Sequence, residues 1–314
     1  MDRGLAVLYR KELADHIHSL RSLVLAALVA LTSLASLFTA AQALRAVVPT
    51  AKDPSAISVF LIAVSSGANN LPSLASFVGF LAPLLGLGMS FDAISSERNR
   101  RTLLRLLAQP IYRDDVILAK WLAALTVVGV FFFALGVLVV GLAIFFFGVP
   151  PEGEELLRFF TYLAATVVYV AVWISFGVLL SLLFRQPSTS ILIGLAAWLY
   201  FVLFHPLLVN LFVPVDEGAP PNVQLRQFAW HQGLLRLSPV ELYQEIATAL
   251  LTPEVRTLGP LTLGQLVGAV PTPLPYSQSL ILVLPHVVVL FALDAVLFAL
   301  SFAYFMRQDI TGRE

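Results

Sequence analysis

Residues 91–120 read FDAISSERNRRTLLRLLAQPIYRDDVILAK. This is the longest polar interruption between two apolar runs in the first half of the chain, and it holds six of the nineteen Lys and Arg residues. Ser95 or Ser96 can cap a helix whose first turn carries Glu97, where a negative charge suits the helix dipole. Pro110 marks its stop. At 100° per residue Arg98, Arg101 and Arg105 share a stripe, and Leu103, Leu104, Leu106 and Leu107 lie across from it. The pattern predicts an amphipathic helix over about 95–109 with a cationic ridge and a leucine face. Asp114 or Asp115 then caps a helix that runs into the next apolar stretch. Two readings stand on these residues alone: a basic loop that fixes topology against anionic lipid, or a docking element for a partner.

The composition around this segment settles the class. Of 314 residues 59% are hydrophobic and 12% charged, against about 25% charged in soluble domains. Mean hydropathy is +0.88. The chain is an all-α polytopic membrane protein. Net charge is zero and cysteine is absent, which removes disulfides and thiolate chemistry.

Six spans are predicted, at about 22–44, 71–90, 116–147, 159–184, 189–213 and 280–306. Residues 57–66 are apolar but too short to cross; they pack on the bilayer or extend span two. Before span one, Leu5, Tyr9, Leu13, Ile17 and Leu20 share a sector opposite Arg3, Arg10, Lys11 and His18, which predicts an interfacial helix over 1–21. Ala41-Gln-Ala43 resembles a signal-peptide cleavage site, but the charged stretch before it is too long and many spans follow. The 66 residues 214–279 hold nine of the nineteen prolines and are read as a cap outside the membrane. Within it Ser238-Pro-Val-Glu241 is a capping box with proline at the first helical position, opening a helix over 239–251.

Basic residues orient the chain. With both termini inside, thirteen Lys and Arg fall on inner segments and six on outer loops, so both termini are expected in the cytoplasm and residues 307–314 form a cytoplasmic tail.

Catalytic signatures are missing. No G-x-x-x-x-G-K-[ST], H-E-x-x-H or G-x-S-x-G is present, and His16, His18, His205, His231 and His286 are too scattered for a metal site. Asp294 is the one acid inside a predicted span. It is a functional candidate by its position. Without a basic residue at its depth, the structural reading is favoured, a carboxyl that is neutral or hydrogen-bonded to a neighbouring span.

The run Phe91-Asp-Ala-Ile-Ser-Ser-Glu97, then Arg101-Thr-Leu-Leu104, Gln109-Pro110 and Leu118-Ala-Lys120, resembles the first cytoplasmic loop of ABC-2 type permeases. Most relatives carry Gly where Arg101 stands. Leu237-Ser-Pro-Val-Glu-Leu-Tyr243, Phe305-Met-Arg-Gln-Asp-Ile310 and Arg10-Lys-Glu12 resemble other parts of that family, nearest its NosY-like and sodium-efflux-like subset with a large loop before the last span. The resemblance implies a type V exporter-like subunit in the inner membrane of a prokaryote, with no catalytic activity of its own. It would pair with a second permease copy, more readily a homodimer than a heterodimer, with a protein on the external cap as a further partner. A separate ATP-binding cassette subunit would bind ATP and Mg, leaving no cofactor in this chain. Asp92, Glu97, Arg98, Arg101, Thr102, Leu103 and Leu106, with Arg105 and Leu107 of the same helix, would meet that ATPase and pass its closure to the spans, for export or for mechanical transmission. The rival is a secondary transporter or channel without an ATPase, which would need paired intramembrane charges.

Overall fold

A computed structural model describes residues 3–47, 59–68, 71–102, 111–148, 150–216, 218–255, 258 and 273–308. Among these, helices account for all regular structure, and an isolated bridge between Ala68 and Leu71 is the sole β pairing. The helices are α1 Arg3–Ile17, α2 Leu20–Val47, α3 Val59–Ser65, α4 Leu74–Ser90, α5 Ser95–Asn99, α6 Arg113–Phe147, α7 Gly153–Leu183, α8 Pro187–Leu199, α9 His205–Phe212, α10 Pro221–Leu235, α11 Pro239–Leu251 and α12 Tyr276–Arg307. Six stretches are long and apolar enough to cross a membrane: α2, Leu74–Asn99 (α4 and α5), α6, α7, Pro187–Phe212 (α8 and α9) and α12. They match the six expected spans.

Span four, α7, is the centre. In its most apolar window 72% of residues are buried, against 11% for span five, so the bundle is assembled around α7 and span five lies at its edge. Span two packs close to it. A Cβ on Gly177 of α7 would come within 2.0 Å of Ser90 Oγ, and one on Gly86 of α4 within 3.0 Å of the Val170 carbonyl. Small residues let two backbones approach where burial of apolar surface from water contributes nothing inside lipid. In span five, a π-helical turn at Tyr200–Phe204 joins α8 to α9. Pro206 sits just beyond; its missing N–H and its ring disturb the preceding turn, and the widened turn absorbs the mismatch.

Three local expectations change. Residues 59–65 form a separate helix rather than extending span two. The helix expected over 95–109 stops at Asn99, because Arg101 takes φ 58, the left-handed region that ends an α-helix; residues 103–110, with Leu103, Arg105, Leu106 and Leu107, lie outside the described residues. Helix α1 packs Leu5 and Tyr9 of its apolar sector against the core, as expected, but it also buries Leu8 and Glu12, and Ile17 at its end is 58% exposed. Glu12 is held inside by the partners described below.

Helix α11 forms over the predicted residues, with Ser238 Oγ accepting from the Val240 N–H. It is no loose cap element, since ten of its thirteen residues are buried. Tyr243 stacks on Tyr169 with ring centroids 4.3 Å apart, and its hydroxyl donates to Tyr162 at 2.9 Å.

Candidate functional site

The segment after span two is tied down at its first turn. The backbone N–H groups of Ile94 and Ser95 donate to Ser181 Oγ of α7 at 2.8 and 3.0 Å. That anchor orients Glu97, whose Oε1 lies 2.8 Å from Nζ of Lys120 on α6. Lys120 also stands 3.0 Å from Glu12 Oε2 on α1. Lys11 closes the ladder, 2.8 Å from Glu12, 3.3 Å from Asp15 and 3.7 Å from Glu97. Lys120 and Glu12 are only 6% and 7% exposed. Charges this deep persist only when paired, and removing one partner of such a pair costs about 3–5 kcal/mol. Burial works against the charge of Glu12, but Lys120 and Lys11 outweigh it and hold the carboxyl below the usual carboxylate range. Burial pushes the neighbouring His16 below the ordinary histidine value, against the pull of Glu12.

A second tie binds the joint between α1 and α2. Arg21 Nη1 lies 2.8 Å from Asp92 Oδ2, and its guanidinium sits 5.3 Å above the Phe91 ring. A third reaches the end of the chain: Arg98 Nη2 donates to Gln308 Oε1 at 2.6 Å, and Arg113 Nη1 to the Gln308 carbonyl at 3.4 Å. Helix α1, the 91–113 segment and the end of α12 therefore meet on one face of the bundle. A cavity of about 530 Å3 opens between α1, the start of the 91–113 segment and span three, lined by Lys11, His16, Asp92, Glu97 and Lys120.

Of the expected contact residues, Asp92, Glu97 and Arg98 thus have partners within the chain. Asn99, Arg100, Arg101 and Thr102 form the exposed tip, where Thr102 Oγ1 donates to the Glu97 carbonyl. Sequence reasoning gave Lys11, Glu12 and Lys120 no role in the site. The signal was available in Lys120, a lysine at the head of an apolar run, which requires a counter-charge from another element.

The opposite face has its own fastening. Arg158 of α7, 1% exposed, bonds Glu154 at 2.9 Å, Ser279 Oγ of α12 at 3.0 Å, the Leu250 carbonyl of α11 at 3.4 Å and the Leu274 carbonyl. Nearby, Glu245 of α11 joins Arg236 at 2.9 Å and His286 of α12 at 2.5 Å. Burial raises the Glu245 carboxyl, but His286 and Arg236 prevail and keep it below the carboxylate range. Asp294 is buried within span six, and Ser175 Oγ of span four donates to its Oδ1 at 2.5 Å. The hydrogen bond to a neighbouring span is the partner expected from sequence. Among the described residues no group of His, Asp and Glu side chains is placed to hold a metal.

The family model for ABC-2 family transporter proteins matches residues 6–310. The chain belongs to the ABC-2 transporter family. It is similar to the probable ABC transporter permease protein NosY of Stutzerimonas stutzeri, 29% identical over 199 residues covering 62% of this chain and 68% of that protein. The protein of the same description from Pseudomonas aeruginosa is 28% identical over 183 residues, covering 55% of this chain and 61% of that protein. Six apolar spans and these relatives make the ABC-2 chain a membrane permease of an ABC transporter. In this permease the face with the Glu97–Lys120–Glu12 ladder is the one where the segment after span two touches α1, α2, α6 and α7 at once.

Proposed function

We propose that this permease is moved by a separate ATP-binding cassette subunit docking on its 91–113 segment, on the cytoplasmic face of a prokaryotic inner membrane with both termini inside. The partner binds ATP and Mg; the permease holds no cofactor and performs no chemistry. Two copies of the permease form the working unit. The exposed tip Asn99–Thr102, with Leu103, Leu106 and Leu107 beyond it, meets the ATPase, and the work goes to export or to mechanical transmission toward a protein on the outer side.

The observation that carries this reading is the ladder. Glu97 sits two residues from the tip and is bonded to a buried lysine of span three and, through it, to α1. A push on the tip reaches span three and the helix α1 through charge pairs costly to break. The rival without an ATPase needs a charged partner for Asp294, and its bonded neighbour is a serine.

Co-purification decides it. The permease expressed with a cassette ATPase should retain that ATPase through affinity capture, and Arg100→Glu with Arg101→Glu should release it. Lys120→Met should leave capture intact and break the link between hydrolysis and permease movement. A permease that supports solute movement in liposomes without any ATPase would sink the reading.

A further inference from the structure

Lys120 and Trp121 are consecutive on α6, and each begins a polar chain to a different element. Lys120 faces Glu97 and Glu12, as above. Trp121 Nε1 donates to Ser175 Oγ of α7 at 2.8 Å, and Ser175 Oγ donates to Asp294 Oδ1 of α12 at 2.5 Å. The direction of this second chain is fixed by chemistry. An indole N–H only donates, so the single hydroxyl proton of Ser175 is committed to Asp294. Hydrogen bonds in series polarise one another, so loss of the first weakens the second. The Trp121 ring also packs on Phe298 with centroids 5.2 Å apart, one turn beyond Asp294 on α12. Span six is thus gripped from span three at two adjacent turns, through a polar and an apolar contact.

We infer that Trp121, Ser175 and Asp294 form a positioning relay that converts movement of the 91–113 segment into movement of span six. Residues 120 and 121 are separated by a rise of about 1.5 Å and by 100° around the helix. A shift or rotation of α6 that follows Lys120 must carry the indole of Trp121 with it. Asp294 lies roughly 20 Å along α12 from the end of the helix at Gln308, so the relay delivers the displacement well inside span six. The role asked of Asp294 is to accept a hydrogen bond from Ser175, and an amide carbonyl can fill it.

The inference rests on the ATP-driven reading above. Its test uses the full permease with its ATPase in lipid nanodiscs. The native chain is cysteine-free, so Gln278→Cys, exposed at the far end of span six, can carry a bimane label. ATP should change the label's fluorescence in the otherwise unaltered chain. Trp121→Phe, which keeps the ring against Phe298, and Ser175→Ala should each cut that response by about threefold, the typical worth of a hydrogen bond between membrane helices. Asp294→Leu should do the same and Asp294→Asn should restore it, with ATPase capture and hydrolysis retained throughout. A purely structural role would lower capture along with the response. Should Asp294→Leu fail to assemble, Trp121→Phe and Ser175→Ala decide. Full responses in those two, or a response in Asp294→Asn as low as in Asp294→Leu, overturn the relay while leaving the ATP-driven reading standing. An unaltered chain that captures no ATPase overturns both.

Discussion

Arg101 has the wrong side chain for its backbone. Its φ of 58 places Cβ near a carbonyl oxygen, at about 1–2 kcal/mol for an L-residue other than glycine. Arg101→Gly should raise stability by about 1 kcal/mol, read as a higher melting temperature in detergent. If the tip arginine touches the ATPase, the same change should weaken capture, so stability and docking move in opposite directions. Glu12 gives a second residue-scale test. Its folded value is depressed below the ordinary 4.5, so the folded state binds fewer protons than the unfolded one just below that pH. The ladder's contribution is full above about 4.5 and is lost as pH falls through the depressed value. Melting temperatures between pH 7 and pH 3 should drop less steeply in Glu12→Gln than in the parent. Parallel curves would show that Glu12 is not the group that titrates.

At the scale of elements, the 91–113 segment divides its residues between two tasks. Ser181 and Lys120 hold its beginning, and Asn99–Thr102 are exposed. Burying a leucine side chain contributes about 1.5–3 kcal/mol, whereas an exposed ion pair contributes about 0–1 kcal/mol and weakens with salt. Leu103→Ala with Leu106→Ala should therefore release or uncouple the ATPase. Arg105→Ala should mainly slow association and change its salt dependence. Pull-downs at low and high salt separate the two; capture lost at every salt concentration on the arginine change alone would reverse the assignment. Helix α11 shows the same division on the opposite face. Its Tyr243 and Glu245 face α7 and α12, so it follows those spans rather than closing over them as a lid.

For the whole molecule, charge pairs fasten the bundle at its two ends, and the Trp121–Ser175–Asp294 chain and the glycine-lined approach of spans two and four lie further in. Orientation remains a matter of charge, thirteen inner against six outer basic residues. A cysteine placed at Asn99 should react with a membrane-impermeant maleimide only after the cells are opened, and labelling in intact cells would invert the topology. Span number and limits were legible in the sequence, because in lipid every backbone group must be bonded within its own segment and composition alone marks a helix. The helix over 239–251 was legible for a similar local reason, its serine cap and first-turn proline. The partners of Lys120 were not, since Glu97 and Glu12 stand 23 and 108 residues from it along the chain and all three meet only when α1 docks on α6. Nor was the burial of Glu12 beside Leu5 and Tyr9 on the inward face of α1, because apolar periodicity treats a glutamate as a surface residue. Pairing with a buried lysine reversed that preference, and pairing over such distances is a property of the packed bundle alone.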